Sequence, residues 1–350
     1  MLIMKIMNIT GITALLVSSA ISYADLARMD DKQLGDSTAA GLGFALDDFM
    51  LNSDSAVLKV TGINDSTGTE IEVDWSELYI MGEGSESGTN PTTVDIGSYL
   101  HPWTISTVRG SADWDGDPST HHSGEYAAIG DDIALIEINM ERYTSAAQNT
   151  KNFVDTCLIS SDPSCASLAA IRRGGIDIGS KFEFVLPQGS DFLDIDIRGA
   201  YMDGTSMRLW SRENVDGDSV LYADLDILFY AKEIDIGVCD SGCNPATSSL
   251  NIDNFYLDIN FGYGEIQPFI IDVTSDGHFE FELAKPDPEP QGINPNDSDA
   301  MIAFYDDFYA NAPKSNVYIG NIQVGNNTAG EAIVRDMSIQ YLKVTSQDLN

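Results

Sequence analysis

The stretch Leu221-Tyr222-Ala223-Asp224-Leu225-Asp226-Ile227-Leu228-Phe229 sets the fold class of this chain. Every second residue from Leu221 to Phe229 is apolar, and the opposite parity begins with Tyr222, Asp224 and Asp226. Successive side chains of a β-strand point to opposite faces of the sheet. The stretch therefore predicts a strand with one buried apolar face and one solvated acidic face.

The same alternation recurs along the chain, at residues 193–197, 255–261 and 279–283 and, over fewer residues, at 71–75, 136–140, 182–184, 317–319 and 337–341. Turn pairs such as Asp276-Gly277 separate the runs and supply the positive φ of tight turns. This pattern predicts an all-β fold, an antiparallel β-sandwich or jelly roll with few short helices. An irregular β-solenoid is the alternative, because the phrase Ile252-Asp253-Asn254-Phe255 has counterparts elsewhere, although without a fixed period.

Two segments have helical patterns. Residues 164–173 are rich in Ala and Leu and end in Arg172-Arg173-Gly174, a typical C-terminal stop. Between Ser298 and Pro313, apolar residues recur at helical spacing.

The first 24 residues have the pattern of a secretory signal peptide. Lys5 is followed by an apolar core at residues 12–17, and Ser22-Tyr23-Ala24 fits the small-x-small cleavage rule. The apolar core is far shorter than the roughly 20 residues that span a bilayer. We expect export of the chain with cleavage after Ala24.

After the signal peptide, residues 25–44 are predicted as an N-terminal segment and residues 45–350 as a single β domain. The proline-rich stretch 285–298 is predicted as an excursion within that domain. About 55 residues follow Pro295, the last proline of this stretch, which is few for an independent domain.

The charge is strongly one-sided, with 55 acidic against 18 basic residues and a formal net charge of −37. Loss of Lys5 with the signal peptide makes it −38. Such a surface repels phosphate backbones and anionic headgroups, so no nucleic-acid partner is expected. No segment after the signal peptide is apolar enough for a transmembrane helix, so no membrane span is expected.

The four cysteines form two local pairs, Cys157 with Cys165 and Cys239 with Cys243. In an exported protein this spacing predicts two disulfides. A metal site is the weaker reading, because the cysteines lack a matching pair of histidines nearby.

The segment Glu233-Ile234-Asp235-Ile236 resembles the start of the catalytic strand in jelly-roll retaining glucanases. That chemistry needs two carboxylates, one as nucleophile and one as proton donor. Gly237 and Val238 stand where the family has its second acid. We therefore expect no catalytic residues, and a glycoside hydrolase remains the alternative.

Asp113, Asp115 and Asp117 alternate as at the opening of a calcium loop. Pro118 and Gly124 break the EF-hand pattern, which leaves a calcium site of another type or a solvated acidic turn. No cofactor is expected, unless this loop binds Ca²⁺. The candidate residues for a glycan-binding face are aromatic: Tyr99, Trp103, Trp114 and Trp210.

The stretch Met29-Asp30-Asp31-Lys32-Gln33-Leu34-Gly35-Asp36-Ser37-Thr38-Ala39 resembles the opening of uncharacterised, exported, β-rich envelope proteins of proteobacteria, some of which have been assigned to pilus systems. Ser37 and Ala39-Ala40 replace that family's Val-Thr-Gly-Gln core. Further similar phrases lie at residues 199–202, 207–210, 262–268 and 339–344. The resemblance implies an envelope or surface role and supplies no functional residues.

These observations predict an exported, non-enzymatic, cell-surface or extracellular protein with a structural or adhesive role, and the resemblance adds pilus association as one such role. Its expected location is the periplasm, the cell surface or the extracellular space. Its expected partners are other envelope or pilus proteins or surface glycans. The alternative is a jelly-roll carbohydrate-binding protein or glycoside hydrolase.

The signal peptide gives the first prediction. Mass spectrometry of the protein from the envelope fraction should find Asp25 at the N-terminus, because signal peptidase accepts Ser22-Tyr23-Ala24. Recovery of the intact Met1 terminus from that fraction would contradict it.

Overall fold

A computed structural model describes residues 41–346, apart from 54, 65–67, 86–89, 110–128, 130–132, 142, 144, 146, 161, 187–188, 214–218, 241–247 and 275. The eighteen strands of this part are β1 (Leu42–Phe44), β2 (Leu46–Phe49), β3 (Leu51–Asn52), β4 (Leu58–Asn64), β5 (Glu70–Gly82), β6 (Val94–Ile96), β7 (Trp103–Arg109), β8 (Ala134–Asn139), β9 (Ile176–Leu186), β10 (Gly189–Ala200), β11 (Ser206–Glu213), β12 (Ser219–Asp240), β13 (Ser249–Phe261), β14 (Phe269–Val273), β15 (Phe279–Leu283), β16 (Ser315–Val324), β17 (Asn327–Met337) and β18 (Leu342–Thr345). The helices are α1 (Thr150–Phe153), a π-helical turn (Val154–Ile159), α2 (Cys165–Ile171), a 3₁₀ turn (Glu289–Gln291) and α3 (Ser298–Asn311).

Strand β12, with 22 residues, is the centre of the sheet. Along one edge, its first half pairs with β11 and its second half with β10. Along the other edge it pairs mainly with β13 and, near its start, with β14. The remaining strands extend from these neighbours into one curled 16-stranded sheet, and β2 and β6 form a separate pair.

All pairings between the strands named above are antiparallel. This confirms the predicted all-β antiparallel fold with few short helices. Antiparallel pairing does not fit a solenoid of stacked parallel coils. Whether a domain boundary falls at residue 44 stays a prediction.

Local signals placed several elements correctly. Both predicted helices are present as α2 and α3. The N-cap of α3 is Asp297, whose Oδ1 accepts hydrogen bonds from the N–H groups of Asp299 and Ala300, both at 3.1 Å. Gly277, with φ of +84°, turns β14 into β15 as the Asp-Gly signal predicts. The proline-rich excursion is tied to the fold where Asp287 N–H donates to the Ile266 carbonyl at 2.7 Å.

The Cys157–Cys165 disulfide is confirmed and links the π-helical turn to α2. Cys243 lies outside the described residues, so its bond to Cys239 stays a prediction.

The largest hydrophobic cluster lies where the π-helical turn packs on the central strands. It consists of Val154, Tyr201, Leu228, Tyr230, Tyr256 and Tyr318. Leu228 and Tyr230 have the same parity in β12 as Asp224 and Asp226. The buried side of this stretch is therefore the side that carries the acids.

The expectation that the acidic parity is solvated is wrong. Asp224 and Asp226 are 1% exposed, whereas Leu221, of the apolar parity, is 39% exposed. Burying a carboxylate is unfavourable unless it is paired and hydrogen-bonded. The reversal therefore requires partners for these acids on the buried side.

A row of charges across three strands supplies the partner of Asp224. Glu137 of β8 stands opposite Arg208 of β11, which stands opposite Asp224 of β12. Arg208 forms a buried ion pair with Asp224, and Gly264 N–H donates to the same carboxylate at 3.0 Å. Burial raises the pKa of Asp224, and Arg208 and Gly264 oppose that rise.

The loop that carries Gly264 depends on Gly262. This residue has φ of +102°, and a Cβ there would lie 2.5 Å from Asp224 Oδ1. Only glycine adopts this conformation and leaves the space. The backbone can therefore close over the buried carboxylate.

The buried row gives the second prediction. Arg208→Met should lower the free energy of unfolding by about 3–5 kcal/mol, because Asp224 and Glu137 stay buried without the guanidinium. Adding Asp224→Leu should recover part of the loss. Chemical denaturation of each variant measures these differences.

Arg212→Met is the matched control in the same strand. Its ion pair with Glu265 is more exposed, 42% on the arginine side, and should cost under about 1 kcal/mol. Equal losses in Arg208→Met and Arg212→Met would contradict the role of the buried row.

Candidate interaction surface

The side of the sheet opposite the buried acids is apolar across five strands. In β7, β8, β11, β12 and β13, register partners form one continuous row: Ile105, Ile138, Met207, Leu225 and Phe261. Paired residues of an antiparallel sheet project to the same face. The row is therefore a single strip of apolar side chains.

A second row runs through Leu221 of β12, Ile271 of β14, Phe281 of β15 and Val344 of β18. Three of its members are well exposed: Leu221 at 39%, Phe281 at 38% and Val344 at 50%. We call the two rows, with the apolar-parity residues between and beside them, the apolar face: Ile105, Ile136, Ile138, Met207, Leu209, Leu221, Ala223, Leu225, Ile227, Phe229, Leu257, Ile259, Phe261, Phe269, Ile271, Phe281 and Val344.

Aromatic contacts hold part of the apolar face in place. The ring centroids of Phe261 and Phe269 are 5.7 Å apart, and those of Phe269 and Phe281 are 6.3 Å apart. Rings at this distance contribute beyond the area they bury. The face is therefore an ordered surface in which neighbouring side chains fix one another.

Apart from Ala223, which is fully buried, the residues of this face are exposed or partly exposed. None of the three buried hydrophobic clusters in the described part of the chain contains a residue of the apolar face. Contiguous exposed apolar patches mark sites of interaction with proteins, membranes or ligands. Sequence reasoning missed the surface because it assigned the apolar parity to the core.

The predicted acidic pair lies in the second half of β12, where Asn251 holds both carboxylates. Its Nδ2 donates to Glu233 Oε1 at 2.9 Å and to Asp235 Oδ1 at 2.7 Å. Asp196 stands opposite Asp235, and Arg198 stands opposite Glu233. Burial and the neighbouring Asp235 charge raise the pKa of Glu233.

The neighbouring strand adds acids that sequence reasoning missed. Asp194 is the register partner of Gly237, and burial raises its pKa, with Asp196 adding repulsion. Tyr79 donates to Asp196 at 2.5 Å. These hydrogen bonds and the opposing Arg198 are typical of a compensated structural cluster on a sheet face.

The other predicted site residues lie partly outside the described part of the chain, and the described aromatic candidates do not form one exposed face. Asp113, Asp115, Asp117 and Trp114 lie outside the described residues, so the calcium hypothesis stays a prediction. Trp210 is buried at 2% exposure, and Trp103 donates to Glu141 Oε2. Tyr99 is 95% exposed.

Neither a metal-binding cluster nor a membrane-spanning helix is found among the described residues. These residues contain no group of three or more His, Cys, Asp or Glu side chains arranged to hold a metal ion. Within the same ranges, no helix has the length and apolar character needed to cross a membrane.

Comparison with known proteins gave no match to a family model, to a curated protein or to a solved structure.

The acidic pair gives the third prediction. The double variant Glu233→Gln/Asp235→Asn should remain folded and at least as stable as the wild type, because it removes repulsion between two carboxylates that share one amide donor. Thermal unfolding measures the stability. The wild type should release no reducing sugar from β-glucans, and activity that the double variant loses while folded would reverse this assignment.

Proposed function

We propose that this chain is an exported, non-enzymatic structural or adhesive protein of the cell envelope that binds a protein partner through its apolar face. The exposed apolar face is the observation that carries the proposal. The signal-peptide pattern and the resemblance to exported, pilus-associated proteins support the location, which is the periplasm, the cell surface or the extracellular space.

The dimensions of the apolar face fit a protein interface. Neighbouring strands lie about 4.8 Å apart, so a row across five strands is about 20 Å wide. An interface of standard size buries roughly 800 Å² on each partner, with an apolar centre and a polar rim. The rows supply the apolar centre.

The charge of the chain indicates which kind of partner binds the apolar face. Two copies of the exported chain with a formal net charge of −38 each repel one another, as do the chain and anionic lipid headgroups. A neutral or basic protein of the same envelope assembly avoids that cost and gains electrostatic attraction on approach. We therefore assign the apolar face to such a protein and not to a second copy.

Site-specific photo-cross-linking in the producing cells gives the fourth prediction. A photoreactive phenylalanine at Ile136, at Leu221 or at Phe281 should link to one and the same envelope protein, because all three positions lie on the apolar face. The same probe at Ile302 of α3, which is 61% exposed, is the control and should give no such product.

A substitution makes this test specific. Leu221→Asp should remove the cross-link formed at Phe281 and change the free energy of unfolding by about 1 kcal/mol or less, since the side chain is already exposed. Ile302→Asp should leave the cross-link intact. Cross-links only to a second copy, or none from the three positions, would contradict the proposal.

A further inference from the structure

Arg172 is a partly buried cation with an unusual set of partners. Its guanidinium donates to the Ala147 carbonyl at 3.1 Å and to Thr150 Oγ1 at 2.7 Å. Its Cζ lies 4.3 Å from the ring centroid of Phe153 and 4.2 Å from that of Tyr201. Among the described residues, no carboxylate lies within 4.0 Å of it.

The neighbouring arginine differs. Arg173 Nη2 pairs with Glu141 and with Asp203, each at 3.1 Å. Although the chain has 55 acidic residues, two carboxylates pair with Arg173 and, among the described residues, none pairs directly with Arg172. Rings and neutral oxygens contact the Arg172 guanidinium directly, and the Glu83 charge acts on it from a longer distance. Without a carboxylate in direct contact, the guanidinium is available to an anion.

A pocket of ≈ 280 Å³ opens beside this guanidinium. Tyr201 and Tyr230, which form a β-bridge, line it together with Lys232, whose side chain is 65% exposed. Lys232 Nζ donates to Glu83 Oε1 at 2.9 Å and retains two further N–H donors. The pocket therefore combines two cations with a wall to which the largely buried Tyr201 and Tyr230 contribute.

A larger cavity of ≈ 510 Å³ adjoins the pocket, because both are lined by Glu83, Arg173 and Gly174. Its other walls include Asp95 and Tyr143, which suit hydroxyl groups. The volumes match small-molecule sites, which are commonly about 300–1,000 Å³. The two cavities form one cleft with a cationic end and a neutral-to-acidic end.

We infer that this cleft binds an acidic oligosaccharide, with the carboxylate of one uronic acid between Arg172 and Lys232 and the next sugar in the larger cavity. Guanidinium and ammonium groups bind carboxylates through charge-assisted hydrogen bonds. Asp95 and Tyr143 in the larger cavity supply polar groups for the hydroxyls of the next sugar. The cleft shares no residue with the apolar face, so this inference does not rest on the proposed function.

The electrostatics around Glu83 agree with this assignment. Burial opposes the ionisation of Glu83, but hydrogen bonds from Lys232 and Gly175 outweigh it, so the pKa of Glu83 lies below its usual value. Glu83 is thus already ionised and paired before a ligand enters. The negative charge elsewhere on the protein is screened beyond about 8–10 Å at physiological salt. The charged groups that line the pocket therefore determine the local field: Arg172, Arg173, Lys232 and Glu83.

Sequence reasoning used Arg172 and Arg173 as a helix stop. The cleft draws on four separate elements: Glu83 after β5, Arg172 after α2, Tyr201 after β10 and Lys232 in β12. One sequence signal could have indicated the cleft. The chain has only 18 basic residues, and two of them are consecutive arginines before Gly174-Gly175.

Calorimetric titration with a trisaccharide of galacturonic acid tests the inference. The acid should bind at least about tenfold more tightly than its methyl ester, which keeps the rings and removes the charge. Lys232→Met should weaken binding of the acid about tenfold, the equivalent of one charge-assisted hydrogen bond. Arg172→Gln should weaken it further.

Lys343→Met is the matched control, because Lys343 also lies in a strand and pairs with a carboxylate, Glu280, at 2.7 Å. This variant changes the charge equally and should bind as the wild type does. If Arg172→Gln does not fold, the comparison of Lys232→Met with Lys343→Met decides. Equal binding of acid and ester, no binding up to about 10 mM, or equal weakening in both lysine variants would overturn the inference.

Discussion

The buried ion pair between Arg208 and Asp224 determines which side of the central sheet is the inside. Asp224 and Asp226 lie on the covered face of β12 at 1% exposure, and the free energy cost of burying a carboxylate is several kcal/mol without a partner. Arg208 supplies the charge, and the loop after Gly262 supplies a backbone N–H. Because the acidic parity of β12 lies on the covered face, its apolar parity lies on the opposite face of the sheet.

The consequence is a protein whose sheet has a polar buried face and an apolar open one over the first half of β12. Most single-sheet faces are stabilised by the reverse arrangement, in which apolar area is removed from water. A partner that binds this apolar area removes it from water, and that burial is favourable. This connects the buried row to the proposed function: the ion pair stabilises the fold, and the apolar face is left exposed to the proposed partner.

Local sequence signals predicted the elements well, and the long-range arrangement less so. The alternation at 221–229 identified a strand, Asp276-Gly277 identified a turn, and the apolar spacing after Ser298 identified a helix. The orientation of the strand was wrong because it depends on Arg208 and Gly264, whose contacts with Asp224 no local pattern shows. The pocket lined by Arg172 and Lys232 was missed for the same reason, since tertiary packing alone brings these two residues to one pocket.

Side-chain footprinting of the purified protein, read residue by residue with mass spectrometry, tests the central claim most directly. A carboxyl-specific label reports on Asp224, Asp226 and Asp258, and a carbene label reports on Leu221 and Phe281. The account predicts protected acids, as their 1% exposure requires, and modified apolar residues. Modified acids together with protected Leu221 and Phe281 would mean that the apolar parity is the core, which would contradict the account.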